Sequence, residues 1–161
     1  MIVVSDTSPL SYLGKLDRLS LLPQFFGEVV VPPEVMAEIE RGSASATLPQ
    51  GIRQTGWIRI MEPGDQAEIA ELERFLDRGE AEAIVLAEEL KATLLLIDEY
   101  DGRKIAEERG IEITGTLGVL LRGKRAGLIA GVRPEVERLL KETSFFCSED
   151  LLRKVLALAG E

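Results

Sequence analysis

Short aliphatic runs separated by amphipathic segments form the main pattern along this chain. Five runs predict β-strands, at 2–5, 28–31, 57–61, 93–97 and 111–114. Apolar residues at spacings of three and four predict helices near 8–16, 33–42, 65–76, 80–91, 101–109, 116–125, 134–141 and 148–156. Because strands alternate with helices, we expect crossover connections and a parallel sheet.

The predicted fold class is α/β, a three-layer α/β/α sandwich around a five-stranded parallel sheet. The run at 57–61 alternates between apolar and polar residues and is assigned to an edge. We expect residues 1–161 to form a single domain, with 133–161 as a C-terminal helical extension. Ser8 and Pro9 predict the N-cap and first residue of a helix. The small and polar residues of 43–55 predict a loop with room for one helical turn.

Composition narrows the chemistry that the chain can perform. It has no histidine, which excludes a Ser-His-Asp triad and a histidine-based zinc site. Its 28 acidic residues outnumber its 19 basic ones, giving a net charge of −9, which argues against a general nucleic-acid binder. Carboxylates and hydroxyls remain, and these ligands suit Mg²⁺ or Mn²⁺. Cys147 is the single cysteine, so no internal disulfide forms, and we expect it to pack as an apolar residue.

The chain carries no sign of export or of membrane insertion. Its first residues lack a basic segment, and no stretch approaches the ~20 apolar residues that a membrane helix needs. We therefore expect a cytoplasmic protein.

Acidic residues stand where a functional edge is expected. Asp6 and Asp98 each end an apolar strand, and in open α/β sheets ligands bind at that end. Glu38 lies beside an apolar helix stripe and Glu80 opens a helix, positions that capping or solvated acids also occupy. Clustered carboxylates repel one another unless a divalent cation neutralises them, and such a cation can activate water for phosphodiester cleavage. The nearby alternatives are Glu82, Glu99 and Asp101.

Two basic features have more than one interpretation. Seven basic residues either cover solvated helix faces or form a phosphate-contacting rim: Arg103, Lys104, Arg109, Arg122, Lys124, Arg125 and Arg133. Residues 118–124 have the spacing of a Walker A loop. However, Arg125 stands where Ser or Thr would bind magnesium, and apolar residues follow helical spacing, so we predict a helix there.

Four segments resemble the PIN-domain family, which includes the VapC-type toxin ribonucleases. They are Val-Val-Ser-Asp-Thr-Ser-Pro-Leu at 3–10, Val-Pro-Pro-Glu-Val-Met-Ala-Glu at 31–38, Gly-Glu-Ala-Glu-Ala-Ile at 79–84 and Leu-Leu-Ile-Asp-Glu at 95–99. Thr-Gly-Thr-Leu-Gly at 114–118 is similar to a subfamily of uncharacterised prokaryotic PIN-like proteins. The resemblance covers essentially the whole chain and implies metal-dependent cleavage of RNA.

The resemblance also implies roles for individual residues. Asp6, Glu80 and Asp98 would hold Mg²⁺ or Mn²⁺, while Glu38 would complete the cage and orient the attacking water. Thr7 would add a hydroxyl. The third acid of the family is usually aspartate, so Glu82 stays an alternative to Glu80. Glu99 and Asp101 stay alternatives to Asp98, and we include Asp101 among the expected metal ligands.

The expected function is that of a metal-dependent endoribonuclease, the toxin of a toxin–antitoxin pair. The resemblance implies a homodimer and an antitoxin protein that plugs the acidic groove. A non-catalytic PIN-like module that binds RNA or protein is the alternative, because fold does not fix function. Cleavage of DNA or of a nucleotide flap also stays open, since phosphate contacts carry no information about the sugar.

Overall fold

A computed structural model describes residues 1–42 and 47–161. In these two ranges the chain forms five strands and ten helices. They are β1 (Val3–Ser5), α1 (Thr7–Lys15), α2 (Leu21–Phe26), β2 (Val29–Val31), α3 (Pro33–Gly42), α4 (Thr47–Gln54), β3 (Ile58–Ile60), α5 (Gln66–Leu72), α6 (Arg78–Glu89), β4 (Leu94–Leu96), α7 (Tyr100–Glu108), β5 (Ile113–Thr114), α8 (Thr116–Arg125), α9 (Val132–Glu142) and α10 (Glu149–Leu158). None of the described helices is long and apolar enough to cross a membrane.

The five strands form one parallel sheet in the order β3-β2-β1-β4-β5. Val4 of the central strand lies opposite Val30 on one side and Leu95 on the other. Each strand falls inside a run predicted from the sequence, and β3 occupies an edge as expected. Because all strands run the same way, their carboxyl ends share one edge of the sheet. The predicted five-stranded parallel α/β fold is confirmed.

Helices cover both faces of the sheet, which gives the three layers. Side chains alternate along a strand, so Val3 and Leu96 point to one face and Val4 and Leu95 to the other. The larger core, on the Val3 face, takes its helical residues from α1–α4 and α8–α10. The smaller core, on the Val4 face, takes them from α5–α7. Val136 and Leu139 of α9 are fully or almost fully buried in the larger core.

The start of α1 differs from the prediction. The helix begins at Thr7 with Asp6 as its N-cap, so the assignment of Ser8 as the cap was wrong. Pro9 lies at the third helical position, where its missing N–H is one of those that a helix start leaves unbonded.

Helix α2 was not predicted. It has six residues, contains Pro23 and ends at Gly27, whose φ is +73°. Such a short segment carries no periodic signal, and its position depends on packing of Leu21, Leu22 and Phe26 into the larger core.

The loop predicted over 43–55 is wrong in its second half. Helix α4 makes two turns there, and the buried Ile52 anchors it in the larger core. Pro49 and Gly51 weaken the local helical signal, which explains the error. Residues 43–46 lie outside the described part of the chain.

The boundary between α5 and α6 also differs. Helix α5 ends at Leu72 instead of Leu76, and α6 begins at Arg78 with Asp77 as its N-cap. Gly79, which was expected to separate the two helices, therefore lies in the first turn of α6. Smaller differences of one or two residues occur at the starts of α7 and α9.

The Walker-like segment is helical, as predicted. Residues 118–124 lie inside α8, with Val119 and Leu120 buried in the core, so their backbone amides are not free to cradle a phosphate.

Candidate functional site

Asp6 and Asp98 lie side by side at the carboxyl edge of the sheet. Asp6 follows β1 directly, and Asp98 lies two residues beyond β4, the neighbouring strand. The Asp6 backbone N–H donates to the Leu96 carbonyl at 2.9 Å, which continues the strand pairing up to the first acid. The edge that the sequence singled out therefore brings these two carboxylates together.

Asp6 is almost completely buried, with 1% of its surface exposed. Among the described residues its Oδ1 has no hydrogen-bond partner. Burial is the main cause that raises the pKa of Asp6 to about 8; the charges of Asp77, Glu38 and Asp98 contribute to this rise, and the hydrogen bond from the Thr7 backbone opposes it. A buried carboxylate oxygen without a donor is unfavourable. The site therefore favours a proton or a cation at Asp6.

Glu38 reaches the site from α3 and contacts two other helices. The Thr7 hydroxyl at the start of α1 donates to Glu38 Oε2. The Gly79 N–H at the start of α6 donates to Glu38 Oε1 at 3.2 Å. Burial raises the pKa of the Glu38 carboxyl, and the charge of Asp77 adds to the effect. Both oxygens are thus held in place by donors from different elements.

Asp77 and Glu80 lie together at the start of α6, Asp77 as its N-cap and Glu80 in its first turn. The Glu80 N–H donates to Asp77 Oδ1 at 2.8 Å, so Asp77 caps the helix that presents Glu80. Burial is the main cause that raises the pKa of Glu80 to about 8; the charges of Asp77, Asp6 and Glu99 and a side-chain hydrogen bond with Asp77 contribute to the same rise. Asp77 is not among the site acids predicted from the sequence. The spacing Asp-x-x-Glu before an apolar run is a capping signature that could have identified it.

Asp98 is held by the first residue of α8. The Thr116 N–H donates to Asp98 Oδ1 and the Thr116 hydroxyl donates to Oδ2, both at 2.7 Å. Burial raises the pKa of Asp98, while the two Thr116 bonds and the Arg103 guanidinium oppose that shift. Arg103 also donates to the Ile97 carbonyl at 2.9 Å. Asp98 therefore serves as a cap for α8 as well as a site acid.

The alternative acids occupy different surroundings. Glu99 accepts a hydrogen bond from the Ser8 hydroxyl at 3.4 Å, and its charge acts on Glu80 and Asp98, so it lies at the rim of the site. Glu82 is buried but pairs with Arg78 at 3.4 Å. The other charges that act most on Glu82 belong to Glu34 and Glu62, which are not among the acids assigned to the site.

Asp101 is exposed near the start of α7 and lines a surface pocket with Phe75 and Lys104. Asp6, Glu38, Glu80 and Asp98 do not line that pocket. Its role as a metal ligand stays a prediction that no contact in the described residues supports.

Of the seven basic residues considered above, Arg103 lies beside a site acid. Several others join parts of the protein instead: Arg109 pairs with Glu68 and Glu88, Arg122 lies over the Phe25 ring, and Lys124 and Arg125 donate to the carbonyls of Ala130 and Leu158. These contacts favour the helix-face interpretation over a phosphate-contacting rim.

The acids fit a hard divalent cation in their chemistry, although they are not arranged as a finished cage. In the described ranges no group of three or more acids already has the arrangement of a metal site. The unpartnered Asp6 oxygen and the raised pKa of Glu80 nevertheless leave ligands that a cation would stabilise. Carboxylate oxygens are the ligands that Mg²⁺ and Mn²⁺ prefer.

A groove of about 880 Å³ adjoins the site. Its lining includes Thr7 and Glu38 from the site, together with Ser11, Tyr12, Lys15 and Ser144. The Tyr12 ring packs edge-on against Phe145, with ring centroids 5.1 Å apart. The groove offers hydroxyl groups, an aromatic ring and one amine next to the acids.

Comparison with known proteins agrees with the geometry. A family model described as a PIN domain matches residues 2–161, which includes every acid of the site and the C-terminal helices. No curated protein matches the chain.

Proposed function

The chain belongs to the PIN-domain family, a nuclease-type fold family, and we propose that it is a metal-dependent endoribonuclease that hydrolyses RNA phosphodiesters with Mg²⁺ or Mn²⁺. The observation that carries the proposal is the convergence of Asp6, Glu38, Glu80 and Asp98 from four separate segments. An unpartnered carboxylate oxygen at Asp6 lies among them.

We assign Asp6, Glu80 and Asp98 as the residues that hold the cation, with Asp101 as the remaining predicted ligand. When bound, a divalent cation activates water and neutralises charge on the reacting phosphate. Glu38, whose carboxylate is fixed by Thr7 and Gly79, would orient the attacking water. A carboxyl group with a raised pKa is also better suited to accept a proton near neutral pH. Thr116 and Arg103 keep Asp98 in position.

RNA is the proposed substrate because the PIN-domain family suggests it. With a net charge of −9 the protein does not attract RNA by its overall field, so recognition must be local. The groove beside Glu38 supplies hydroxyl donors and the Tyr12 ring, groups that can contact ribose and base.

The resemblance to VapC-type toxins motivates two further parts of the proposal. We propose a homodimer, and an antitoxin protein that covers the acidic site. A small DNA-binding protein encoded beside this one is the expected partner. Copurification of that protein with the chain, and loss of RNA cleavage in the complex, would support the toxin assignment. Undiminished cleavage in the complex would contradict it.

The decisive experiment compares labelled RNA and DNA of the same sequence with Mn²⁺, with EDTA, and with the Asp6→Asn variant. We expect cleavage of RNA by the unmodified protein with metal and no cleavage in the other two conditions. Asp150→Asn is the matched control, because it removes the charge of an exposed acid on α10. Cleavage that persists in EDTA, or that is equal in Asp6→Asn, would exclude this mechanism.

A non-catalytic RNA-binding or protein-binding module is the second candidate. It is favoured by the absence of a finished metal cage among the described acids and by the use of both Asp98 oxygens to cap α8. Calorimetry distinguishes the two functions. A nuclease binds Mn²⁺ and loses that binding when Asp6 and Asp98 become Asn. A binding module keeps its RNA affinity in the same variant and in EDTA.

A further inference from the structure

We propose that Gly79 is a positioning residue for the reaction: because it has no side chain, the Glu38 carboxylate can dock against the first turn of α6, next to Glu80. This inference rests on the proposed nuclease function. It adds a residue that the acidic pattern itself does not contain.

The space next to Gly79 is too small for a side chain. A Cβ atom at position 79 would lie 2.6 Å from each carboxylate oxygen of Glu38 and 2.7 Å from its carboxyl carbon. Real Cβ atoms essentially never approach another heavy atom closer than 3.0 Å, so the Glu38 side chain would have to move. Backbone conformation does not demand glycine here, since Gly79 is not among the residues with positive φ. The close approach of Glu38 is the feature that needs glycine.

The Gly79 backbone also holds the Glu38 carboxylate through a hydrogen bond. Gly79 is the second residue of α6, where backbone N–H groups lack partners within the helix and the helix dipole favours negative charge. Its N–H donates to Glu38 Oε1, while Thr7 donates to Oε2. If either donor moves out of reach, the carboxylate can rotate. Gly79 thus supplies both the space and one of the two bonds that fix Glu38.

The effect of Gly79 on the position of Glu38 can be separated from its effect on stability. Alanine is favoured over glycine within helices by up to ~1 kcal/mol. A Gly79→Ala change should therefore leave α6 folded while displacing the Glu38 carboxylate, the flexible end of its side chain. If Gly79 served only the fold, Gly79→Ala would destabilise the protein and leave the Glu38 carboxylate in place.

The contact itself can be tested without metal or RNA. The Gly79 amide proton is expected downfield in the NMR spectrum because it is bonded to a carboxylate. Glu38→Ala removes the acceptor and should move this resonance upfield, while amides of α10 stay unchanged. An unchanged Gly79 resonance in Glu38→Ala would overturn the proposal.

The functional test uses Gly79→Ala, Glu38→Gln and the double variant. We expect Gly79→Ala to lower RNA cleavage by roughly 10–100-fold, the usual size of the loss in activity when the partner that orients a functional group is removed. Its melting temperature should stay equal or rise. In the Glu38→Gln background the same change should cause little further loss, because the positioned carboxylate is already gone.

Gly56→Ala is the matched control. It adds the same methyl group where no atom lies within 4 Å, just before β3 and thus at the amino end of the parallel sheet, opposite the acids. Normal RNA cleavage in Gly79→Ala, a lowered melting temperature, or a full further loss in the double variant would each overturn the role of Gly79. If the unmodified protein cleaves no RNA although the Gly79–Glu38 contact is detected, the proposed function fails and the contact stands.

Discussion

At the scale of single residues, Asp6 has the most unusual environment in the site. Its carboxyl group is buried, one oxygen lacks a donor among the described residues, and three other acids raise its pKa. The sequence identified Asp6 because an apolar strand ends there. It could not indicate that the Oδ1 atom would be left without a partner, since that depends on side chains from α3, from the start of α6 and from the segment that follows β4.

We expect the folded protein to become less stable as pH rises from about 4 to 8. The pKa of Asp6 is 3.8 in its ordinary state and about 8 when folded, so the native state holds a proton that the unfolded state has lost. Stability is therefore fully present below the unfolded pKa and falls by up to about 1.4 kcal/mol per pH unit for such a group. Asp6→Asn should flatten this dependence. Urea unfolding at pH 5, 6, 7 and 8 measures it, and parallel curves for the two proteins would refute the expectation.

We expect Mn²⁺ affinity to increase between pH 6 and 8.5. Asp6 and Glu80, each with a pKa of about 8, must lose protons before they can bind a cation. Calorimetric titrations in two buffers of different ionisation enthalpy would count the protons released. Binding that is independent of pH and releases no proton would mean that these two carboxyl groups are not ligands. Asp150→Asn, which removes one exposed charge on α10, is the control, and its Mn²⁺ affinity should increase with pH in the same way.

At the scale of elements, two helix starts shape the site. Asp77 caps α6 within its own segment, and Asp98 caps α8 from a position two residues beyond β4 and 18 residues before Thr116. The Asp77 cap could have been predicted from the Asp-x-x-Glu spacing, although Gly79 was expected to separate two helices. The Asp98 cap could not have been predicted, because Asp98 and Thr116 lie 18 residues apart and no local pattern links them. Both caps place a carboxylate where backbone N–H groups need an acceptor.

We expect Asp77→Ala to destabilise the protein by about 1 kcal/mol more than Asp77→Asn does. Both changes remove the charge that acts on Asp6, Glu38 and Glu80, so their difference isolates the loss of the α6 cap. Asparagine caps about as well as aspartate, whereas alanine cannot accept the Glu80 N–H bond. Chemical denaturation at pH 7 gives the two free energies of unfolding. Equal values would show that Asp77 does not act as a cap.

At the scale of the whole molecule, sheet order brings distant segments together. Strands β1 and β4 are neighbours although about 90 residues separate them, and α9 and α10 complete the larger core on one face. The sequence predicted the strands, the three layers and the edge where acids meet. The division into a domain and a C-terminal extension at 133–161 stays a prediction. In the structure that segment contributes buried residues to the same core as β1.

We expect Leu139→Ala in α9 to lower the free energy of unfolding by about 2–5 kcal/mol, as for other buried leucines. Leu139 is fully buried in the larger core, whereas its neighbour Leu140 is 44% exposed. Leu140→Ala is therefore the matched control and should cost less than about 1 kcal/mol. Urea unfolding of both variants measures the difference. A small effect at Leu139 would indicate that the C-terminal segment is a separable extension.

The sequence by itself determined the strands, the parallel sheet and the candidate positions of Asp6 and Asp98, because apolar runs ended by acids follow local rules of burial. Tertiary structure decided which acids share an environment. It placed the charge of Asp77 near Asp6 and Glu38, and it left Asp101 exposed. It also placed Gly79 against Glu38. These outcomes depend on the distances between side chains from separate elements, and a carboxylate's pKa and partners are properties of that assembled environment.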